Sequence, residues 1–543
     1  MDTIAKSLKK LPFGLQNFAE IIYDNYLYVD KTRHIHTLVT KGKNYFLSRP
    51  RRFGKTLLLS ALKALFSGPP DRDGPPAGLF QDLWIGGAGF VFPERHPIIS
   101  LSMASAGRTN EILNTSILKA LNKINLREDL GLSVTLLGDD FSTIIESLSQ
   151  KYNKKVVILI DEYDEPVSSN LHNISLALEN RDILKDFYSG LKTAEEYTRF
   201  TFVTGVTRYA FMGLSAGLNH LNDITLNEKY ANICGFTHDE LDKYFSAYFP
   251  QTLVNLKNDG AISQETTLLD LRKRILSFYD GYSWDAKTRV VNPYSLMKFF
   301  EESAFIPYWK NLEPSTDFLY KVISNYTLDL LPDQLQNLTQ GEFGVAEVGG
   351  LAPVAALFQT GYLTVDTIAY SERGEPLYKF KTPNEEIRPI FEQLFKNNLF
   401  SLLNKDPLAD GIKFKQILDS GDATKITEIM TSLYSSVPAK HHRDEESFYH
   451  GVLHAYCWGI LEFPPLSELS GGVGTPDIIL FFDDGLYVVI ELKYLKPDNP
   501  LKPETDEATL KEILENLATL ALKSIEKKKY ANAYLSRAQK LSK

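Results

Sequence analysis

Scarce residue types exclude several classes of protein for this chain. Cys234 and Cys457 are its only cysteines, so we expect neither a disulfide framework nor a zinc site. So few cysteines fit a protein of a reducing compartment. No apolar run approaches the ~20 residues of a membrane span. Residues 1–10 lack the apolar core of a signal peptide. The sequence therefore predicts a cytoplasmic protein without a membrane partner.

An excess of positive charge is also missing. The chain has 59 lysines and arginines against 68 aspartates and glutamates, which gives a net charge of −9. The protein as a whole is therefore not an electrostatic DNA-binder, and any nucleic-acid surface must be a local patch. A hydrophobic content of 43% is typical of a globular protein, and the 543 residues predict two or three domains.

A Gly-Lys-Thr triplet follows a short apolar run and opens an apolar-periodic helix. A phosphate-binding loop requires this strand–loop–helix context. Gly54 would let the backbone approach a phosphate, Lys55 would reach the β- and γ-phosphates, and the Thr56 hydroxyl would ligate Mg²⁺. The general pattern begins with glycine, and Arg49 holds that place. The interpretation therefore depends on finding the rest of a nucleotide site.

Two carboxylates follow a buried strand a hundred residues later. Residues 156–160 are apolar, and Asp161 and Glu162 come directly after them. Ligands of open α/β sheets bind at this end of the strands, so Asp161 would hold Mg²⁺ and Glu162 would polarise the attacking water. An ordinary strand with an acidic turn is the alternative for this motif alone. Its combination with the Gly-Lys-Thr triplet favours a nucleotide site.

A third predicted strand, residues 200–207, runs into Arg208. Polar groups at the tip of such a strand can sense the γ-phosphate, so Thr204, Thr207 and Arg208 are candidates. For each of them singly, a strand end capped by threonine is an equal interpretation.

Nine segments of the chain resemble, in order, the predicted AAA-ATPase-like family that carries a C-terminal PD-(D/E)XK nuclease domain. They are residues 11–18, 28–32, 49–56, 159–164, 204–208, 217–219, 233–237, 279–282 and 292–293. In that family an arginine-rich loop replaces the usual first glycine. The resemblance therefore assigns Arg49, Arg51 and Arg52 to nucleotide binding, and it implies ATP and Mg²⁺ as cofactors.

The order of strands and helices predicts an α/β protein with three parts. Strands alternate with helices up to about residue 245, which indicates a parallel, helix-covered sheet. We predict an AAA-ATPase-like P-loop domain over residues 1–250. A helical lid and a winged-helix-like region, with short strands at 361–365 and 377–381, would cover 251–404. An α/β restriction-endonuclease-like domain would cover 405–543.

A second group of chemically active residues lies near the C-terminus. Asp477 stands near the start of one predicted strand, and Glu491 and Lys493 lie two positions apart on the next, where they share a face. The turn at residues 483–485 predicts a hairpin that brings Asp477 beside Glu491. Two carboxylates next to an ammonium can bind Mg²⁺, activate a metal-bound water and stabilise a pentavalent phosphate. A solvated edge strand is the alternative.

This arrangement resembles the PD-(D/E)XK nuclease core, with Glu446 on the preceding amphipathic helix completing the catalytic set. The resemblance implies a nucleic-acid partner, DNA being favoured over RNA, and a homo-oligomer is left open. One position departs from the family: Ser524 stands where members tend to carry glutamine. If that glutamine orients water or lysine, serine is too short to replace it and activity falls.

Two functions from different classes remain open at this stage. The first is an ATP-dependent nuclease in which nucleotide binding or hydrolysis gates cleavage. The second is a regulatory ATPase switch whose nuclease-like domain binds nucleic acid or a partner without cutting. The complete set of four catalytic candidates favours the first function, and Ser524 favours the second.

Overall fold

The structure is a computed structural model of the chain. It describes residues 8–67, 77–104, 109–171, 173–208, 220–309, 335, 337–344, 352–391, 407–437, 446–461, 477–482, 487–493 and 507–528. The chain divides into two compact units. Unit 1 comprises Met1–Val322 and Gln336–Phe391, and unit 2 comprises Ile323–Leu335 and Glu392–Lys543.

Unit 1 contains a five-stranded parallel sheet, which confirms the predicted α/β class. Its strands are β1 (Asn44–Ser48), β2 (Ile98–Ser102), β3 (Val156–Asp161), β4 (Thr198–Gly205) and β5 (Asn222–Asp223). Their order across the sheet is β2-β3-β4-β1-β5. Every residue of β3 is buried, as expected for a parallel strand covered on both faces. β4 therefore separates the strand before the Gly-Lys-Thr triplet from the strand before the two carboxylates.

Nine helices lie in the sheet-containing part of unit 1. They are α1 (Phe18–Tyr23), α2 (Thr32–Lys41), α3 (Lys55–Ser67), α4 (Ala77–Phe80), α5 (Trp84–Gly87), α6 (Asn110–Arg127), α7 (Leu137–Tyr152), α8 (Glu165–Ser168) and α9 (Ile174–Thr193), counted over the described residues. The core includes stacked rings of Phe141 and Phe187, with centroids 4.5 Å apart. Each such fully buried side chain contributes about 1.5–3 kcal/mol.

The rest of unit 1 is mainly helical, as predicted. It contains α10 (His238–Phe245), α11 (Phe249–Asn258), α12 (Leu268–Tyr279), α13 (Pro293–Glu302), α14 (Gln340–Phe343) and α15 (Pro353–Thr360). Capping boxes at Thr237 and Thr267 fix where α10 and α12 begin. An antiparallel pair follows, β6 (Thr364–Tyr370) and β7 (Pro376–Lys381). The sequence prediction for β7, residues 377–381, is close to the observed strand. The prediction for β6, residues 361–365, begins three residues before the observed strand.

Unit 2, where the structure describes it, combines four helices with one antiparallel strand pair. The helices are α16 (Pro407–Ser420), α17 (Ala423–Ser436), α18 (Glu446–Ile460) and α19 (Glu507–Lys528). The strands are β8 (Ile478–Phe481) and β9 (Tyr487–Ile490). β9 ends at Ile490, so Glu491 and Lys493 follow the strand instead of lying on it. The hairpin turn predicted at 483–485 lies outside the described residues.

No helix in the described part of the chain is both long enough and apolar enough to span a membrane.

Candidate functional site

The loop between β1 and α3 curls around the ammonium of Lys55. Its backbone has positive φ at Arg52 (64°) and Gly54 (95°). At Gly54 a Cβ would meet no atom within 4 Å, so glycine is needed there for conformation and not for space. The buried Lys55 Nζ donates to the carbonyls of Arg49 at 2.8 Å and Pro50 at 2.9 Å. An ammonium has three N–H donors, so one donor remains beyond these two bonds.

Burial lowers the pKa of Lys55, and the carboxylates of Asp161, Asp164 and Glu162 oppose that shift. The ammonium is therefore shielded from solvent and lies near three carboxylates. A phosphate group would supply the counter-charge that burial makes favourable.

Thr56, at the start of α3, is hydrogen-bonded to the carboxylate that ends β3. Its hydroxyl donates to Asp161 Oδ2 at 2.6 Å, and the Thr204 hydroxyl donates to Oδ1 at 3.3 Å. A hydroxyl and a carboxylate are the hard oxygen ligands that Mg²⁺ prefers. The residues present therefore fit the ion that the sequence predicted for Thr56 and Asp161.

Glu162 lies in the left-handed region of backbone space, with φ of 51°. Residues with a Cβ seldom adopt this conformation, and such outliers cluster at functional sites. Its side chain is half-buried and lines the same cavity as Lys55 and Thr56. Burial, and next the charge of Asp161, raise the pKa of Glu162. A carboxylate with a raised pKa is a stronger proton acceptor, which suits a residue that activates water.

The three loop arginines occupy different environments. The Arg49 guanidinium is fully buried, donates to the carbonyls of Thr225 at 2.8 Å and Tyr230 at 3.1 Å, and stacks 3.9 Å above the Trp284 ring. Burial lowers its pKa to about 10. Arg49 does not line the cavity and holds the loop in place.

The other two loop arginines do line the cavity. Arg51 forms an ion pair with Glu165 at 2.8 Å. Arg52 is exposed, with its guanidinium 5.1 Å from the centre of the Tyr294 ring.

Thr207 and Arg208, in the segment that follows β4, are buried and lie outside the cavity lining. Arg208 Nη2 lies 2.6 Å from Asp223 Oδ2. Its Nε and Nη1 are buried and have no hydrogen-bond partner among the described residues. Thr207 donates its backbone N–H to Asp164 at 2.7 Å and accepts from the Tyr163 hydroxyl at 2.9 Å.

A cavity of about 340 Å³ extends from the phosphate-binding loop. Beyond the loop and Glu162, its wall comes from four segments remote in sequence. These contribute Pro12, Gly14, Leu15 and Gln16; Leu27, Tyr28, Val29 and Lys31; Ile233, Cys234, Gly235, Phe236 and Phe245; and Pro293, Tyr294 and Met297. We did not predict this wall. Several of the segments that carry the family resemblance form this wall, so the resemblance was the sequence signal that could have predicted it.

Three of the predicted C-terminal residues lie together in unit 2. Ile478 pairs with Ile490, so Asp477 and Glu491 flank the same end of the strand pair. Asp477 Oδ2 accepts from the Leu492 N–H at 2.6 Å, and Lys493 Nζ lies 3.2 Å from Glu491 Oε1. Burial raises the pKa of Asp477, and the charge of Glu491 adds to the shift. Ser524 is long enough to donate to Glu491 Oε1, at 3.1 Å.

The fourth predicted residue, Glu446, begins α18, and its side chain lies outside the described residues. His450, four residues later, contacts the Asp477 carbonyl at 2.8 Å through Nε2. The sequence missed this contact. Within the described residues no three side chains of the His, Cys, Asp and Glu types are grouped as a metal site. The metal prediction for Asp477 and Glu491 thus rests on two carboxylates.

Residues 12–215 match the model of a family described as predicted AAA-ATPase. That span contains the loop around Lys55, the Asp161–Glu162 pair and the end of β4, and it stops before unit 2. The chain is also 29% identical, over 98% of its length and 95% of the relative's, to an uncharacterized protein in the vnfD 5' region of Azotobacter chroococcum mcd 1.

Proposed function

We propose that unit 1 binds ATP and hydrolyses it. The observation that carries this proposal is the convergence of Lys55, Thr56, Asp161 and Glu162 where β1 and β3 end. The family match over residues 12–215 supports it independently. Thr56 and Asp161 would hold Mg²⁺, which neutralises charge on the β- and γ-phosphates when bound.

Each residue of the chain has a distinct part in that reaction. Lys55 would bind the phosphates through its remaining donor and by exchanging its bonds to the loop carbonyls. Glu162 would orient water and accept its proton. Thr207 and Arg208 would respond to the γ-phosphate, because Arg208 Nε and Nη1 are buried donors without a hydrogen-bond partner among the described residues. The mainly apolar cavity wall would take the base and ribose.

Two variants separate phosphate binding from hydrolysis. Lys55→Ala should abolish ATP binding, because the buried ammonium is lost. Glu162→Gln should still bind ATP while turnover falls by about 10²–10⁴-fold, since Asp161 and Thr56 are intact. Binding is measured with a fluorescent ATP analogue and turnover by phosphate release. Equal turnover by the wild type and Glu162→Gln would refute the assignment.

A second function is favoured by the convergence of Asp477, Glu491 and Lys493 in unit 2. We propose Mg²⁺-dependent cleavage of nucleic acid there, DNA being favoured. Asp477 and Glu491 would ligate the metal, Lys493 would stabilise the pentavalent phosphate, and Glu446 would complete the set. His450 supports this placement, because it contacts Asp477 and lies one helical turn after Glu446.

The alternative is a switch that binds nucleic acid or a protein partner without cutting. Incubation of the protein with plasmid, linear DNA and RNA, with and without Mg²⁺ and ATP, decides between the two. Cleavage that EDTA stops and Asp477→Ala abolishes supports the nuclease. Binding without cleavage under every metal supports the switch. The three-part division at residues 250 and 404 and a cytoplasmic location remain part of this proposal, and the proposal leaves a homo-oligomer open.

A further inference from the structure

Asp164 makes bonds that are unusual for its position. It is the residue before the short helix α8, where aspartate ordinarily accepts an N–H of its own helix. Here its carboxylate caps no N–H of α8. It accepts instead from the two residues that follow β4: from the Val206 N–H at 3.2 Å to Oδ1 and from the Thr207 N–H at 2.7 Å to Oδ2. The side chain is buried, with 2% of the residue exposed.

Tyr163 reinforces the same connection. Its N–H donates to the Thr204 carbonyl at 3.0 Å, and its hydroxyl donates to the Thr207 carbonyl at 2.9 Å. Gly205 allows the two segments to approach, because a Cβ there would lie 2.3 Å from Asp164 Oδ1. Four hydrogen bonds thus join the turn after β3 to the end of β4 and its continuation, at Thr204, Val206 and Thr207.

The turn carries Glu162, and the segment after β4 carries Thr207 and Arg208. Hydrogen bonds from backbone N–H groups to a buried carboxylate are charge-assisted and strong. Removing the carboxylate would leave those N–H groups buried and unpaired. Of these four bonds the two segments would then keep the two of Tyr163, so their relative position would be less well fixed, although the phosphate-binding loop and Asp161 would keep theirs.

We propose that Asp164 is a positioning residue of the ATPase, which fixes Thr207 and Arg208 relative to Glu162. It couples recognition of the γ-phosphate to activation of water. Asp164 does not line the cavity. The inference rests on the proposed ATPase function.

The test compares Asp164→Ala and Asp164→Asn with Asp186→Asn, which changes an exposed carboxylate on α9. For each protein we would measure the affinities for ADP and for a non-hydrolysable ATP analogue, the kcat for ATP, and Tm. In Asp164→Ala, ADP affinity should stay near the wild-type value. The preference for the ATP analogue over ADP should fall, and kcat should fall about tenfold or more, because misplaced groups lose rate steeply.

Asp164→Asn should lie between Asp164→Ala and the wild type, because one amide oxygen can keep one of the two backbone bonds. Asp186→Asn should match the wild type. Wild-type kcat in Asp164→Ala would overturn the inference, and so would an equal loss of ADP and ATP affinity, which indicates a general structural role. If Asp164→Ala does not fold, Asp164→Asn provides the test, with the same comparison of the ATP-analogue and ADP affinities and of kcat with the wild type. A wild-type protein without ATP turnover would instead overturn the proposed function.

Discussion

The Arg49 guanidinium lies inside unit 1, where it donates to the carbonyls of Ser48, Thr225 and Tyr230. Arg52, three residues later in the same loop, is exposed and lines the cavity. The first side chain satisfies backbone groups that would otherwise be buried and unpaired. The second side chain is exposed at the cavity, where a bound phosphate could contact it. Neighbouring arginines of one motif thus differ in what their removal would change.

Substitution of each arginine should separate stability from affinity. Arg49→Ala should lower the free energy of unfolding by about 2–4 kcal/mol, because it leaves carbonyls and the Trp284 face without their partner. Arg52→Ala should leave stability within about 0.5 kcal/mol and weaken ATP binding. Denaturant unfolding and nucleotide titration measure the two quantities. Comparable unfolding free energies for the two variants would contradict these assignments.

The role of Arg49 was beyond sequence reasoning for a physical reason. The carbonyls that it binds in Thr225 and Tyr230 lie 176 and 181 residues away. Their approach depends on tertiary packing that no local pattern encodes. Lys55, Thr56, Asp161 and Glu162 were predictable because each follows directly from a strand and its loop. The same local logic predicted Asp477, Glu491 and Lys493.

Between elements, α7 and α9 pack closely where Gly138 meets Gly190. A Cβ on Gly190 would lie 2.4 Å from the Gly138 carbonyl oxygen, and one on Gly138 would lie 2.4 Å from that of Asp186. Both of these oxygens belong to the backbone, so a change of side-chain rotamer cannot relieve either clash. The absence of a Cβ on both helices therefore sets their separation.

Gly190→Ala should push α7 and α9 apart and destabilise unit 1 by about 1–3 kcal/mol, despite alanine's better helix propensity. Gly87→Ala is the matched control, because a Cβ at Gly87 meets nothing within 4 Å. Its unfolding free energy should stay close to the wild-type value. Thermal and urea unfolding would measure both variants, and an unchanged Tm for Gly190→Ala would show that the helices can adjust.

The order of strands is another property of elements that the sequence did not reveal. Apolar runs predicted β1, β2, β3 and β4, but a run does not indicate its neighbour. The insertion of β4 between β1 and β3 brings Thr204 to Asp161. This pairing gives the end of β4 its position in the site.

For the molecule as a whole, Glu386 links stability to pH. The residue is fully buried, and its Oε1 accepts from the Ser295 hydroxyl and the Trp309 N–H, each at 2.9 Å. Its Oε2 has no hydrogen-bond partner within the described residues. Burial raises the pKa of Glu386 to about 7. The neighbouring titratable groups are Tyr279, Tyr282 and Tyr308, whose pKa values burial also raises, so they stay neutral near pH 7.

The folded state therefore binds a proton at Glu386 that the unfolded state releases near pH 4.5. This contribution to stability is complete below pH 4.5 and is lost as pH rises to about 7, by on the order of 3 kcal/mol. Glutamine mimics the protonated carboxyl, so Glu386→Gln should lose less stability between pH 5 and pH 8. Parallel pH profiles for the two proteins would show that Glu386 does not titrate in this range.

At the scale of the whole molecule, the proposed coupling between ATP binding and nucleic-acid cleavage can also be tested. A ligand shifts a conformational equilibrium through its different affinities for two states. Such a shift requires binding of ATP but not its hydrolysis. If bound ATP gates the proposed nuclease, Glu162→Gln with ATP should cut nucleic acid and Lys55→Ala should not. Asp477→Ala should cut nothing while it turns over ATP at the wild-type rate, because its site belongs to unit 2. Cleavage by Lys55→Ala equal to wild type would show that ATP does not gate the nuclease, and inactivity of Glu162→Gln alone would show that hydrolysis is the gate.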